Sequence, residues 1–363
     1  METYPIPMIP GPTAVPADVR AVFENVYGSS DMEPEFLELY NRTEGNLQLL
    51  FGTRSRVVIQ TGEGMLALWS ALKSCLRPGE RVLCVGTGIF GYGIGDMARL
   101  AGAEVRTVGY GYDETIHDLH LIEGIIAEFK PRMITAVHCE TPSGTLNPLK
   151  ELGRLKEKHG VPLFYVDTVA SLGGAPVNAD SCHIDLCLGG SQKVLSAPAN
   201  MSFVAVSPRA WKIIDAVDYA GYDALKPFAH AQEDFYFPYT PDWYGVAAVN
   251  AGAERIIAEG LENCWNRHAQ AAEACRAGLT AAGYELYPRP AAVQSPTVTA
   301  VKVPAGITWP AFDALLRADG LAVGGNYGPL AGKVFRLGHM GSQAQPELVS
   351  RALEVLEQAI HKI

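Results

Sequence analysis

Gly189-Gly190-Ser191-Gln192-Lys193 follows the apolar run Ile184-Asp185-Leu186-Cys187-Leu188 and precedes Val194-Leu195-Ser196-Ala197-Pro198. The run reads as a buried strand, and the glycine–serine stretch as the turn that ends it. One lysine therefore stands on a small-residue turn at the end of a core strand. An ammonium is costly to desolvate. A lysine in this position is either a loop residue reaching solvent or a group that loses its proton and attacks a carbonyl.

The stretch upstream decides between these readings. Pro162-Leu163-Phe164-Tyr165-Val166-Asp167 is an apolar strand ending on a carboxylate. Alone, such a carboxylate is most often a cap or a turn residue. Paired with Lys193 in one α/β unit, it takes on a chemical meaning. Pyridoxal phosphate needs a lysine for its Schiff base and an acid that keeps its ring nitrogen protonated. A third stretch supplies a phosphate cradle. The short strand Val57-Val58-Ile59-Gln60 leads into Thr61-Gly62-Glu63-Gly64, and Met65 to Leu72 follow at helical spacing. Glycines let the backbone approach an anion, and a new helix offers free N–H groups at its positive end. A Gly-x-Gly turn alone is a weak signal. Glu63 conflicts with the cradle, because a carboxylate repels a phosphate dianion. Its side chain must turn away, take a proton or find a partner.

Around these stretches, apolar strands alternate with helical patterns. Strands are expected at 57–60, 81–85, 105–108, 133–138, 162–167, 184–188 and 202–206, with helices at 91–101, 117–128 and 148–159 between them. That alternation predicts an α/β fold: a mostly parallel seven-stranded sheet with helices on both faces. Ligands bind such sheets beyond the strand C-terminal ends. Residues 17–50 read as helices split at Gly28-Ser29-Ser30, 208–240 as a loop-rich excursion, and 243–282 as helical. A small C-terminal α/β unit follows, with strands at 298–303 and 334–337 and helices at 309–318 and 346–362. The expected organisation is an extended segment over 1–14, a large domain over 15–245 and a small domain over 246–363, joined by the 243–282 helices.

The chain has 363 residues, 48% hydrophobic and 19% charged, with a net charge of −10. No dense Lys/Arg cluster suggests nucleic acid or a membrane surface. No apolar stretch approaches the ~20 residues that span a bilayer. Met1-Glu2-Thr3-Tyr4-Pro5 lacks a basic region followed by an apolar run, so no signal peptide is expected. The seven cysteines show no Cys-x-x-Cys spacing. This predicts a reducing, cytoplasmic setting and no metal site.

Taken together, these motifs resemble the class V branch of fold-type I pyridoxal-phosphate enzymes. The likeness is greatest to the alanine–glyoxylate/serine–pyruvate aminotransferase group, which includes the pyridoxamine–pyruvate aminotransferases. It runs from Pro10-Gly11-Pro12-Thr13 through Thr61-Gly62-Glu63-Gly64, Gly88-Ile89-Phe90-Gly91, Thr141-Pro142-Ser143-Gly144-Thr145 and Asp167-Thr168-Val169-Ala170-Ser171 to Ser191-Gln192-Lys193 and Phe335-Arg336-Leu337-Gly338-His339-Met340-Gly341. Each motif is modest, but the ordered set is specific. The resemblance implies pyridoxal 5'-phosphate as cofactor, with Lys193 and Asp167 as its catalytic partners. Phe90 would stack on the ring, with Val169 against the opposite face. Gly62, Glu63, Gly64 and Gln192 would surround the phosphate, and Thr240 would reach it from the other subunit of a homodimer. Ser143, or Thr141 nearby, would meet the ring hydroxyl. Arg336 would grip the substrate carboxylate, Tyr27 and Tyr327 would stand at the site mouth, and His339 would be structural.

The chain departs from the group's pattern at Phe90, where the group has Trp or Tyr, and in three further places. Ala197-Pro198-Ala199-Asn200 replaces the usual Ala-Pro-Pro-Gly; asparagine tolerates a left-handed backbone, so the turn could persist. Glu63 replaces a small hydroxyl residue of the alanine–glyoxylate enzymes and matches a glutamate of the pyridoxamine–pyruvate enzymes. Tyr327 stands where those enzymes carry a second arginine. The expected function is transamination between a small amino acid, alanine or serine, and a small 2-oxo acid, glyoxylate or pyruvate. The alternative is a pyridoxamine–pyruvate aminotransferase that takes free pyridoxamine as substrate. A cysteine desulfurase is disfavoured, because no cysteine follows Cys275.

Overall fold

The computed structural model describes residues 3–363, so Met1 and Glu2 of the expected N-terminal segment lie outside the described residues. The chain begins with β1 (Ile6–Met8), α1 (Ala17–Ala21), α2 (Pro34–Phe51), β2 (Arg56–Thr61), α3 (Gly64–Cys75), β3 (Arg81–Gly86), α4 (Ile89–Leu100) and β4 (Glu104–Gly109). It continues through α5 (Leu119–Phe129), β5 (Met133–Val137), β6 (Cys139–Glu140), β7 (Thr145–Leu146), α6 (Lys150–Lys158), β8 (Leu163–Asp167), β9 (Leu186–Gly190), β10 (Met201–Val206) and α7 (Pro208–Val217). It closes with α8 (Trp243–Glu259), α9 (Leu261–Ala281), β11 (Thr299–Lys302), α10 (Trp309–Ala318), β12 (Leu321–Val323), β13 (Val334–Leu337) and α11 (Pro346–Ile360).

Every residue of β5, β8, β9 and β10 is buried. Strands apolar on both faces need cover on both sides, which the intervening helices provide. Seven strands form the main sheet in the order β2-β10-β9-β8-β5-β3-β4. Only β10 runs antiparallel to its neighbours; the other pairs are parallel. Thr61, Gly86, Val137, Asp167 and Gly190, each the last residue of its strand, therefore meet at one rim. The expected α/β architecture is present.

A second apolar cluster, with Phe312, Leu316, Phe335 and Leu356, surrounds β11, β13 and α10. Ile6 and Met8 belong to it, because β1 pairs in parallel with β12. The N-terminal segment is extended as expected, but it is also the edge partner of a C-terminal strand that the sequence reading left out.

Two further expectations are corrected. β9 continues through Gly189 and Gly190, which pair with Phe203 and Ser202, instead of turning after Leu188. A Cβ at Gly189 would lie 2.8 Å from Leu172, 3.0 Å from Phe203 and 3.1 Å from Phe51. Glycine serves close packing there, not a turn. The 208–240 excursion contains a helix, α7. Pro208 occupies its first turn, and the Ser207 side chain accepts from Ala210 N. Among the described residues, no helix is long and apolar enough to cross a membrane, and no cluster of ligating side chains could hold a metal ion.

Candidate active site

At the C-terminal rim of the sheet lies a cavity of about 140 Å³. Phe90, Thr141, Asp167, Val169, Gln192 and Lys193 line it, and Glu63 and Gly64 complete one end. A wider cleft of about 600 Å³ at the opposite rim holds none of the expected residues.

Asp167 ends β8 and is 6% exposed. Its Oδ1 accepts from Val169 N at 2.8 Å. Burial pushes its carboxyl up to about 6, against the Val169 N–H and the Lys193 charge, which both pull it down. A cationic partner brought into the cavity would restore the carboxylate. Lys193 lies three residues past β9. Its carbonyl accepts from Thr13 Oγ1 at 2.9 Å, and its Nζ donates to the Pro10 carbonyl at 2.5 Å. Burial and the nearby Arg336 charge pull its amine down to about 8. Far more of it is free amine near neutrality than for an exposed lysine.

Phe90 stands in the first turn of α4, held there by a residue the sequence reading did not single out. The Glu140 carboxylate accepts from Phe90 N at 3.2 Å and Gly91 N at 2.6 Å. A Cβ at Gly88 would lie 2.6 Å from Glu140 Cδ, so glycine makes room for the carboxylate. Glu140 is fully buried, and burial pushes its carboxyl up to about 8. Nothing local in the sequence marks Glu140 as a helix cap, because it lies 50 residues from Phe90. Cys139 also lines the cavity unannounced, its Sγ donating to Ser295 Oγ at 3.1 Å.

Glu63 is the N-cap of α3. Its Oε1 accepts from Met65 N at 3.1 Å, and its Oε2 accepts from Gln192 Nε2 at 3.1 Å. It has found a partner, and that partner is another expected phosphate ligand. Gln192 Oε1 remains buried with no hydrogen bond. Gly62 has φ 147°, and its N–H donates to Asn200 O at 2.7 Å. The left-handed residue of the turn after Lys193 is Ser196 (φ 53°), not Asn200. Asn200 instead donates to Asp242 Oδ2 at 2.7 Å, tying the turn to the head of α8.

Arg336, on β13, is 7% exposed. Its Nε and Nη2 both donate to Gly325 O, at 2.9 and 2.6 Å. Among the described residues no carboxylate pairs with it, and burial lowers its pKa. The Tyr327 ring lies 5.2 Å from the guanidinium and edge-on to Phe90 at 6.3 Å, so it bridges the two. Thr141 lines the cavity, whereas the Ser143 hydroxyl pairs with Thr145 Oγ1 at 2.9 Å. His339 is structural: Nε2 pairs with Thr299 Oγ1 at 2.7 Å and Nδ1 donates to Pro296 O at 3.0 Å. Thr240 is exposed and off the cavity, and Tyr27 stacks on Trp243 at 5.1 Å, so one chain does not bring these two into the site.

The buried acid, the depressed lysine and the ring-sized wall of Phe90 and Val169 fit a pyridoxal ring. The head of α3 offers the expected backbone N–H groups, but the Met65 N–H already donates to the Glu63 carboxylate.

The family model for class-V aminotransferases matches residues 12–334. An uncharacterized aminotransferase of Methanocaldococcus jannaschii is 34% identical over 362 residues, covering 98% of this chain and 92% of that protein. An alanine–glyoxylate aminotransferase of Callithrix jacchus is 32% identical over 363 residues, covering 97% of this chain and 86% of that protein. The structure of pyridoxamine–pyruvate aminotransferase from Mesorhizobium loti superposes with a TM-score of 0.94 at 30% identity, covering 99% of this chain and 92% of that one. A likeness of that extent, in sequence and in fold alike, leaves one assignment: the chain belongs to the class-V aminotransferase family, fold-type I enzymes that depend on pyridoxal 5'-phosphate.

Proposed function

We propose that this aminotransferase passes an amino group between alanine or serine and glyoxylate or pyruvate. One observation carries this reading. Among the described residues, buried Arg336 has no carboxylate partner, and it lies close enough to Lys193 to depress its amine. A guanidinium kept unpaired in a low-dielectric site suits an α-carboxylate from the substrate.

Pyridoxal phosphate supplies, when bound, the electron sink that makes a substrate Cα–H acidic. The protein's residues do the rest. Asp167 would hold the proton on the ring nitrogen. Phe90 and Val169 would hold the ring faces and Thr141 would meet the ring hydroxyl, with Ser143 supporting that loop. Arg336 grips the carboxylate and so fixes which Cα substituent faces Lys193. The Lys193 amine, whose lowered pKa of about 8 gives it a usable free fraction near neutral pH, would move the proton at Cα. Gly62, Glu63, Gly64 and Gln192 would surround the phosphate end. Thr240 and Tyr27, which do not line their own chain's cavity, would serve the site of a partner subunit in a homodimer. Two separate apolar clusters support a division into a large and a small domain, expected over 15–245 and 246–363, although Val246, Val249 and Ile256 of α8 pack with the first cluster and Ile6 and Met8 with the second. Seven unpaired cysteines support a cytoplasmic setting.

Glu63 favours a second reading, in which free pyridoxamine is a substrate and pyruvate its acceptor. A carboxylate at the head of α3 would accept from a ring hydroxymethyl group and repel a phosphate. The spectrum of the purified protein tests both. A yellow protein that bleaches with alanine or serine and recovers with glyoxylate or pyruvate establishes the first. A colourless protein that makes pyridoxal only from pyridoxamine and pyruvate establishes the second. Colour without either response refutes both.

A further inference from the structure

We propose that Gln343 is a positioning residue for Lys193, acting through a strap formed by residues 9–14. The inference rests on the reading of Lys193 as the reacting amine. Gln343 is 1% exposed. Its Nε2 donates to Ile9 O at 2.8 Å and to Gly338 O at 2.6 Å, and its Oε1 accepts from Ala14 N at 2.9 Å. One amide thus grips both ends of the strap. It also ties them to a residue two places beyond Arg336. Both amide protons and one carbonyl lone pair are used, so the side chain has a single satisfied orientation.

Between the grips the strap lies on the lysine. The Pro10 carbonyl accepts from Lys193 Nζ at 2.5 Å. Thr13 N donates to Gln192 O at 3.0 Å, and Thr13 Oγ1 donates to Lys193 O at 2.9 Å. There is no slack: a Cβ at Gly11 (φ 90°) would lie 2.5 Å from Lys193 Cδ and 2.6 Å from Nζ. On the other side, a Cβ at Gly338 would lie 2.4 Å from Pro10 Cα. A shift of the strap by about an ångström would remove the acceptor, since hydrogen bonds weaken steeply past their normal length. An aligned carbonyl favours the ammonium, whereas burial favours the free amine. The strap therefore sets both the direction and the proton affinity of the amine. The other titratable groups facing Lys193 are Arg336 on β13, Cys139 on β6, Asp167 at the end of β8 and Glu63 at the head of α3. A substitution at Gln343 replaces none of them.

The test uses the full chain freed of cofactor. Free pyridoxal is added across pH 6–10, the adduct is trapped with borohydride, and the modified peptide is mapped. Wild-type adduct on Lys193, with a rate that rises through a single midpoint, supports the aminotransferase reading; adduct elsewhere refutes that reading and this inference with it. In Gln343→Ala the midpoint is expected to fall by about one pH unit, the worth of a hydrogen bond to a charged group. Gln343→Asn keeps the amide but cannot span both ends, and is expected to do the same while disturbing folding less. A merely structural role would lower the melting temperature and leave the midpoint in place. Adduct on Lys193 in folded variants with an unmoved midpoint overturns the strap inference and spares the reading.

Discussion

Gln192 Nε2 donates to Glu63 Oε2 at 3.1 Å across the head of α3, while Met65 N–H donates to Oε1 of the same carboxylate. Two residues expected around a phosphate thus hold each other. The Met65 N–H and the helix dipole, which would attract a phosphate, already meet the Glu63 carboxylate. Glu63→Thr removes that charge and leaves a small hydroxyl. Affinity for pyridoxal phosphate is expected to rise at least about tenfold, because two like charges ~4 Å apart repel by several kcal/mol in a partly buried site. Affinity for unphosphorylated pyridoxamine should fall. Equilibrium titration by absorbance measures both, and equal affinities in variant and wild type would remove Glu63 from the phosphate end.

Lys193→Ala is expected to lower transamination by about a hundredfold to ten-thousandfold, the usual worth of a positioned proton-transfer group, or more. Circular dichroism should remain that of the wild type. Near-normal turnover would end the assignment.

Arg336→Ala should act on the acid substrates. Loss of a buried, charge-assisted grip costs about 2–4 kcal/mol, or roughly 30- to 1,000-fold in kcat/KM. KM for the 2-oxo acid carries much of it. Arg336→Lys restores the charge but not the planar fork, and should recover only part. An unmoved KM in Arg336→Ala means that the carboxylate binds elsewhere.

Glu140→Gln has a pH signature. Burial raises the Glu140 carboxyl from the ordinary carboxylate range to about 8. A carboxyl raised in the folded state contributes stability that is complete below its unfolded pKa and is lost as pH rises through the folded one. The amide has no such dependence. Gln still accepts one of the two N–H groups and loses the other, at a cost of about 1 kcal/mol. The variant should thus be less stable than wild type near pH 5, with the gap closing or reversing by pH 8.5. Urea unfolding at the two values decides it; a constant difference contradicts the origin given for the shift.

Gly189→Ala introduces a methyl between Leu172, Phe203 and Phe51, each 2.8–3.1 Å from it. Overpacking of this kind costs about 1–3 kcal/mol. A lower urea midpoint at unchanged m is expected, and wild-type stability would show that the sheet yields at this point.

Much of the site was legible because its residues sit at strand ends. An apolar run closing on Asp167 places a carboxylate at the rim whatever the neighbouring strands do. The stretch Gln192-Lys193 after the next strand must then emerge beside it, since parallel strands end at one edge. Arg336 was legible only through its motif, since a strand-end arginine has many surface uses. The turn after Leu188 was misplaced because glycine reads as a turn, and only the contact with Phe51, Leu172 and Phe203 shows that it serves packing.

What the sequence by itself determined is the alternation of the main-sheet strands with their helices, and with it which residues reach the rim. Hydrophobic periodicity and turn chemistry are local, and parallel topology turns them into a place. What only the tertiary structure decided are the partners that arrive from far along the chain: Glu140 on the α4 turn, Gln192 on Glu63, and the Pro10 carbonyl on Lys193, 183 residues away. A hydrogen bond needs atoms about 3 Å apart in a fixed direction. No local pattern encodes that distance, and the packing of the whole chain sets it.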